Sequence, residues 1–234
     1  MKELEYPFDS SFLLQKRRKL KKALLADGSA RMEKRIAVLG GSTTNDIVSM
    51  LELFLLNCGI QPVFYQSEYA QYWQDAMFDA PELAAFQPDL IFIHTTSRNI
   101  TEAPLPLSAS EQEVQDALER QYTHFTQMWE HLAATYHCPI LQNNFELPAT
   151  RLNAVHDTAG ANGHDLCHLG LLFSAASQDE AALGGLLDLN SLDNNTVCKR
   201  NDLHRSCPPI INIKDKLFYV PGAAPFRLFS TLFP

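Results

Sequence analysis

The chain lacks any apolar run long enough to cross a bilayer, which argues against a membrane-spanning helix. No leader of the secretory kind is expected at its start either. Met1 is followed by the charged Lys2-Glu3-Leu4-Glu5 rather than by an apolar segment, so a cytoplasmic location is expected. Its five cysteines, Cys58, Cys138, Cys167, Cys198 and Cys207, include no Cys-x-x-Cys pair and are odd in number. They fit reduced thiols better than a disulfide framework. Basic charge is not in excess either: the net charge is −8, which speaks against a general nucleic-acid binder. What the chain does have is 234 residues, 46% of them hydrophobic, enough for a full core in one domain with additions.

The most informative segment is Arg35-Ile36-Ala37-Val38-Leu39-Gly40-Gly41-Ser42-Thr43-Thr44-Asn45-Asp46. A short apolar strand ends in two glycines and a serine, and the apolar helix pattern Asp46–Cys58 follows, closed by Gly59. Glycines let the chain turn sharply and leave space beside a helix N-terminus, where free N–H groups favour anionic atoms. Ser42 in that turn has two readings, a nucleophile beside an oxyanion site or a helix N-cap.

Residues 1–30 are expected to form an appended basic helix. Lys16, Arg17, Arg18, Lys19, Lys21 and Lys22 lie between apolar anchors, and Asp27-Gly28-Ser29 ends the pattern. Such a cluster suits a phosphate or an acidic partner, or is a solvated helix face. From Arg35 to Asn143 strands and helices alternate. Strands are expected at Ile36–Leu39, Pro62–Tyr65, Pro88–His94 and Cys138–Gln142. Helices are expected at Asp46–Cys58, Tyr69–Phe86 and Ser110–His137. This order predicts a three-layer α/β domain over residues 31–190, a flavodoxin-like parallel sheet ordered 2-1-3-4 with room for a fifth strand beside the fourth. Residues 191–234 are expected to be an irregular tail.

Ligands of such sheets bind at the carboxyl ends of the strands. Three of those ends are polar: Gly41-Ser42-Thr43-Thr44-Asn45, His94-Thr95-Thr96-Ser97-Arg98-Asn99, and Gln142-Asn143-Asn144. The expected substrate-binding set is Gly40, Gly41, Thr43, Thr44, Ser97 and Asn143, with Ser42 and Asn99 at the reacting end. His94 is the nearest base by topology, though a histidine on a buried strand is more often a core residue. His156, Asp157, His164, Asp165, Cys167 and His168 offer metal-ligand chemistry, but their spacing matches no common zinc pattern, and no metal or cofactor is expected.

Several segments together resemble the N-terminal, SGNH-hydrolase-like domain of FkbH-like proteins, in which a HAD-superfamily (subfamily IIIC) phosphatase-like domain follows. They are Glu33–Asp46, Phe64–Tyr69, Phe86–His94, Ser97-Arg98-Asn99-Ile100, Met128-Trp129 and Cys138–Pro148. The resemblance implies a part in loading a glyceryl-type acyl group onto an acyl carrier protein, in secondary-metabolite or polysaccharide biosynthesis. The HAD motif Asp-x-Asp-x-Thr does not occur in the sequence, so the implied partners are an acyl carrier protein or a HAD-type phosphatase domain encoded elsewhere. The chain is then expected to be a stand-alone or truncated N-terminal part. Against the SGNH blocks, Gly40-Gly41-Ser42 keeps the serine of Gly-Asp-Ser without its aspartate. Ser97-Arg98-Asn99 keeps the asparagine of Gly-x-Asn-Asp without its glycine or aspartate. Asp165-Leu166-Cys167-His168 has the spelling of the Asp-x-x-His block, but it comes early, before the expected last helix and strand. The implied catalytic set is Ser42, Asn99, Asp165 and His168. Three functions stay open: acyl-transfer assistance, an esterase or O-acyltransferase with Ser42 as nucleophile, and a non-catalytic interaction domain or fragment.

Overall fold

The computed structural model describes residues 1–5, 8–102, 105, 109–143 and 185–187, side chains excepted at 97 and 185–187. Five parallel strands form one sheet: β1 (Met32–Gly40), β2 (Ile60–Gln66), β3 (Leu90–His94), β4 (Ile140–Asn143) and β5 (Gly185–Leu187), in the order β2-β1-β3-β4-β5. This is the flavodoxin-like order, with its reversal of direction between β1 and β3. The register sets Gly40 opposite His94, which brings the two chain ends that leave the sheet there side by side.

Period-two alternation divides the apolar strand residues between two faces. Ile36 and Val38 of β1, Leu90 and Phe92 of β3 and Leu141 of β4 pack against α2 (Asn45–Asn57). Ala37, Leu39, Ile91, Ile93 and Ile140 face the other way, onto Phe125, Met128, Trp129 and Leu132 of α5 (Glu111–Tyr136). β3 is buried along its whole length, as an interior parallel strand should be. β2 carries Pro62, which suits its place at the sheet edge. A capping box starts α5: Ser110 Oγ accepts from Glu113 N–H while the Glu113 carboxylate accepts from Ser110 N–H.

The basic helix, α1 (Ser10–Ala26), starts at Asp9, whose carboxylate accepts from Phe12 N–H at 3.0 Å. Its anchors Leu13, Leu20 and Leu24 are buried in the same cluster as α2, so they extend one core rather than found a second. The helix expected over Tyr69–Phe86 is two short ones, α3 (Tyr72–Met77) and α4 (Pro81–Phe86). The reason is Pro81. It disfavours helical backbone at Ala80, which has φ −120° and ψ 80°, and its ring is suited to the first turn of a new helix. No described helix is long and apolar enough to cross a membrane.

Behind the carboxyl edge, on the α5 side, the indole N–H of Trp129 donates to Gln142 Oε1 at 2.6 Å, and Gln142 Nε2 donates to Thr95 Oγ1 at 3.1 Å. Trp129 and Gln142 are both fully buried. Trp129→Phe strips this chain of its donor and leaves a buried amide oxygen without a partner. A loss of about 2–4 kcal/mol is expected, the cost of an unmade buried hydrogen bond plus lost volume. Urea unfolding should show it as a lower midpoint with an unchanged slope.

Candidate functional site

The site is built where β1 and β3 end. Past β1 the pairing continues by one bond, Gly41 N–H to the His94 carbonyl at 2.8 Å. After β3 the chain passes Thr95 and Thr96 into a single 3₁₀ turn, Ser97–Asn99. The Asn99 carboxamide then bridges back: Nδ2 donates to the Gly41 carbonyl at 3.0 Å, and Oδ1 accepts from Thr96 N–H at 2.8 Å. Glycine suits position 41 here, because a Cβ built on it would clash with the Asn99 carboxamide as it is held. Gly40 is nearly as confined: a Cβ there would lie 2.6 Å from Thr44 Cγ2. Its N–H donates to Ser67 Oγ at 2.8 Å, which brings the chain after β2 into the same edge.

The structure therefore places Gly40, Gly41, Ser42, Thr43 and Asn99 together at the sheet's reversal point. Ser42 is half-buried and Thr43 exposed. Ser42 is not the N-cap of α2; Thr44 is. Thr44 makes no side-chain capping bond. It is buried, and its hydroxyl turns to Gln66 Oε1 at 3.5 Å. Neither the hydroxyl nor the N–H of Ser42 or Thr43 makes a hydrogen bond with any described residue. With the second N–H of the Asn99 amide, these form a group of donors beside the positive end of α2. Donors of this kind suit a carbonyl oxygen or an anion.

Asn143 has a different part. It is fully buried, Oδ1 meets His94 Nδ1 at 3.0 Å and accepts from Thr95 N–H at 3.2 Å, and Nδ2 donates to the Thr95 carbonyl at 2.6 Å. Its carboxamide is engaged with the end of β3, an arrangement that positions the strand end. These bonds fix the orientation of the amide, and so also the tautomer of His94: Nδ1 carries the proton and Nε2 keeps its lone pair. Burial holds the His94 imidazole down, from its ordinary 6.5 to about 4, while the Asn143 bond opposes this. His94 is therefore neutral at neutral pH and a poor proton acceptor, and it makes no hydrogen bond to Ser42. For Ser97 the backbone lies in the 3₁₀ turn. Asp165, His168 and the residues weighed as metal ligands (156–168) lie outside the described residues. Among the described residues, no three His, Cys, Asp or Glu side chains gather as a metal site would require.

One contributor was missed: Ser67, which follows β2 and accepts from Gly40 N–H. The polar ending Gln66-Ser67 was the available signal.

No family model matches the chain, and no curated protein matches it. Solved structures do. The N-terminal part of the protein BF1531 from Bacteroides fragilis, a crystal structure containing a phosphatase domain complexed with Mg, superposes with a TM-score of 0.60 at 14% identity. The match covers 76% of this chain and 46% of that one, so this chain spans less than half the length of the matched structure. BT4096, a gut microbial diltiazem-metabolizing enzyme, gives a TM-score of 0.45 at 12% identity over 70% of this chain and 38% of that chain. The acetyl xylan esterase AlAXEase gives 0.44 at 14% identity over 78% and 97%. At such identities the likeness is one of fold. The first of these bears it out: a parallel-sheet α/β fold shared with the N-terminal part of BF1531.

The environment of His94 has a consequence for pH. A histidine whose native pKa lies below its unfolded value destabilises the fold as the unfolded chain takes up the proton. Stability should therefore fall as pH drops from about 6.5 to about 4 and then level off for this group, by about 3 kcal/mol in all. Denaturant unfolding across that range checks the slope, and His94→Gln should remove this part of it.

Proposed function

We propose that this chain is an acyl-binding α/β domain of the FkbH-like kind, which assists transfer of a glyceryl-type acyl group to a carrier protein and is a weak catalyst or none by itself. One observation carries the reading. The Ser42 hydroxyl and neighbouring N–H groups are unengaged among the described residues, whereas the imidazole at the adjoining strand end is buried and tied to Asn143. A serine nucleophile needs a base within hydrogen-bond reach, oriented by a third group. His94 is oriented, but toward the core, and its low basicity makes proton transfer from a hydroxyl costly. Binding needs none of this. The acyl carbonyl oxygen accepts from the donors around Ser42 and Asn99, and the dipole of α2 favours the partial negative charge. Removal of phosphate from a phosphorylated donor falls to a separate phosphatase domain. The matched structure of BF1531 contains a phosphatase domain and this chain covers 46% of it, which is compatible with this division.

The second reading is an esterase or O-acyltransferase in which Ser42 attacks. The half-buried, unengaged hydroxyl at a helix N-terminus favours it, and Asp165 and His168 would supply the base. The two are separated by assaying short acyl esters and acyl-carrier thioesters with wild type and Ser42→Ala. The expected result is no turnover above background in either, with the affinity for an acyl-pantetheine thioester about tenfold weaker in Ser42→Ala and in Asn99→Ala, the value of one lost hydrogen bond. Robust turnover that vanishes in Ser42→Ala would reject the binding reading and establish the hydrolase or transferase.

A further inference from the structure

Charge is distributed unevenly over this chain. α1 carries six basic residues and no acidic one, so a net −8 for the whole less +6 for this helix leaves −14 elsewhere. Two of the six have partners across the α1–α2 contact. Arg17 Nη1 meets Asp46 Oδ1 at 2.6 Å, and Lys21 Nζ meets Glu52 Oε1 at 2.7 Å. The other four, Lys16, Arg18, Lys19 and Lys22, are exposed and have no ion pair with any described residue. Helical spacing sets Arg18, Lys19 and Lys22 on the outer face, opposite the buried Leu13, Leu20 and Leu24, and Lys16 on its flank. The exposed rings and branches of Phe12 and Leu25, 39% and 45% accessible, stand at the two ends of that basic row.

We propose that the outer face of α1 is the docking surface for an acidic protein, and that this protein is the carrier bearing the acyl group. The inference rests on the function proposed above and adds its partner's landing site. Position argues for it. Arg17 ties α1 to the first turn of α2, the helix whose N-terminus holds the Ser42 donors. A partner bound on α1 thus stands beside the edge where its acyl group would enter. Charge argues for it too. An acidic partner is repelled by the rest of the molecule and drawn to this one face, which sets orientation as well as encounter rate. An anionic bilayer fits less well. The apolar stripe of α1 is already committed to the core, leaving only Phe12 and Leu25 to insert, and the acidic body would lie against the headgroups.

The test compares the full chain with a variant reversed at the four unpaired positions, Lys16→Glu, Arg18→Glu, Lys19→Glu and Lys22→Glu, and with the same four changed to Gln. Circular dichroism and thermal melting check that each remains folded. The probes are a glyceryl-loaded acyl carrier protein, a glyceryl-pantetheine thioester without protein, and phosphatidylserine-containing vesicles. Wild type should bind the carrier with an affinity that falls steeply between about 0.05 and about 0.5 M salt. Reversal should weaken it about tenfold or more, the Gln variant should lie between, and the small thioester should bind all three alike. Carrier affinity unmoved by reversal, or no carrier binding by wild type while the thioester binds, overturns the docking surface and leaves the acyl site standing. Failure of both carrier and thioester to bind overturns both proposals. Vesicle binding abolished by reversal, without carrier binding, assigns the face to a membrane surface instead.

Discussion

Parallel pairing of β1 with β3 is the constraint on which the candidate site depends. The pairing does not stop at the strands: Gly41 donates to the His94 carbonyl, and Asn99 reaches back to the Gly41 carbonyl, so the two loops at the reversal point are held as one piece. Each bond is modest alone. Together they fix the place from which Ser42 and Thr43 face outward. A helix N-terminus is a useful binder of negative charge only if the loop ahead of it is kept open, and here two buried glycines and one asparagine keep it so.

Beneath that edge the sheet holds polar side chains on both faces. His94 and Asn143 lie on the side of α1 and α2, following the alternation of Leu90, Phe92 and Leu141, whereas Gln142 joins Trp129 on the side of α5. Thr95 joins the two through its backbone and its hydroxyl. Buried polar groups are tolerable when each is satisfied, and a satisfied set specifies a single arrangement. The imidazole is better understood as part of this framework than as a reagent, since its burial opposes the charged form that general-base catalysis would require.

The sheet was legible in the sequence because β1 and β3 are continuous apolar runs and the segments between them have helical period. Those two signals, with right-handed crossovers, suffice to order the strands. The site's location was legible from Gly40-Gly41-Ser42 and from the polar ends of β3 and β4. Its inner arrangement was not. Whether Thr44 or Ser42 caps α2 depends on backbone angles that neither residue type dictates. Whether Asn143 faces a ligand or the core depends on which side of the sheet the alternation leaves it. One helix was expected over Tyr69–Phe86, yet Pro81 within it was readable as a breaker. α1 looked peripheral because its charge dominates its composition, and three leucines seven and four residues apart were enough to bind it to the core.

The contact between Gly41 and Asn99 bears on how this loop can change over evolutionary time. The SGNH pattern that the sequence resembles has an aspartate where Gly41 stands, and that side chain has no room while the Asn99 carboxamide occupies the space. The two positions are therefore coupled: the aspartate is admissible after Asn99 has moved or shrunk, and harmful before. With the present Asn99 conformation kept, the hydrolase-type loop requires a change at both positions. Single-substitution libraries at position 41 would pass over that route, and a paired library at 41 and 99 would reach it.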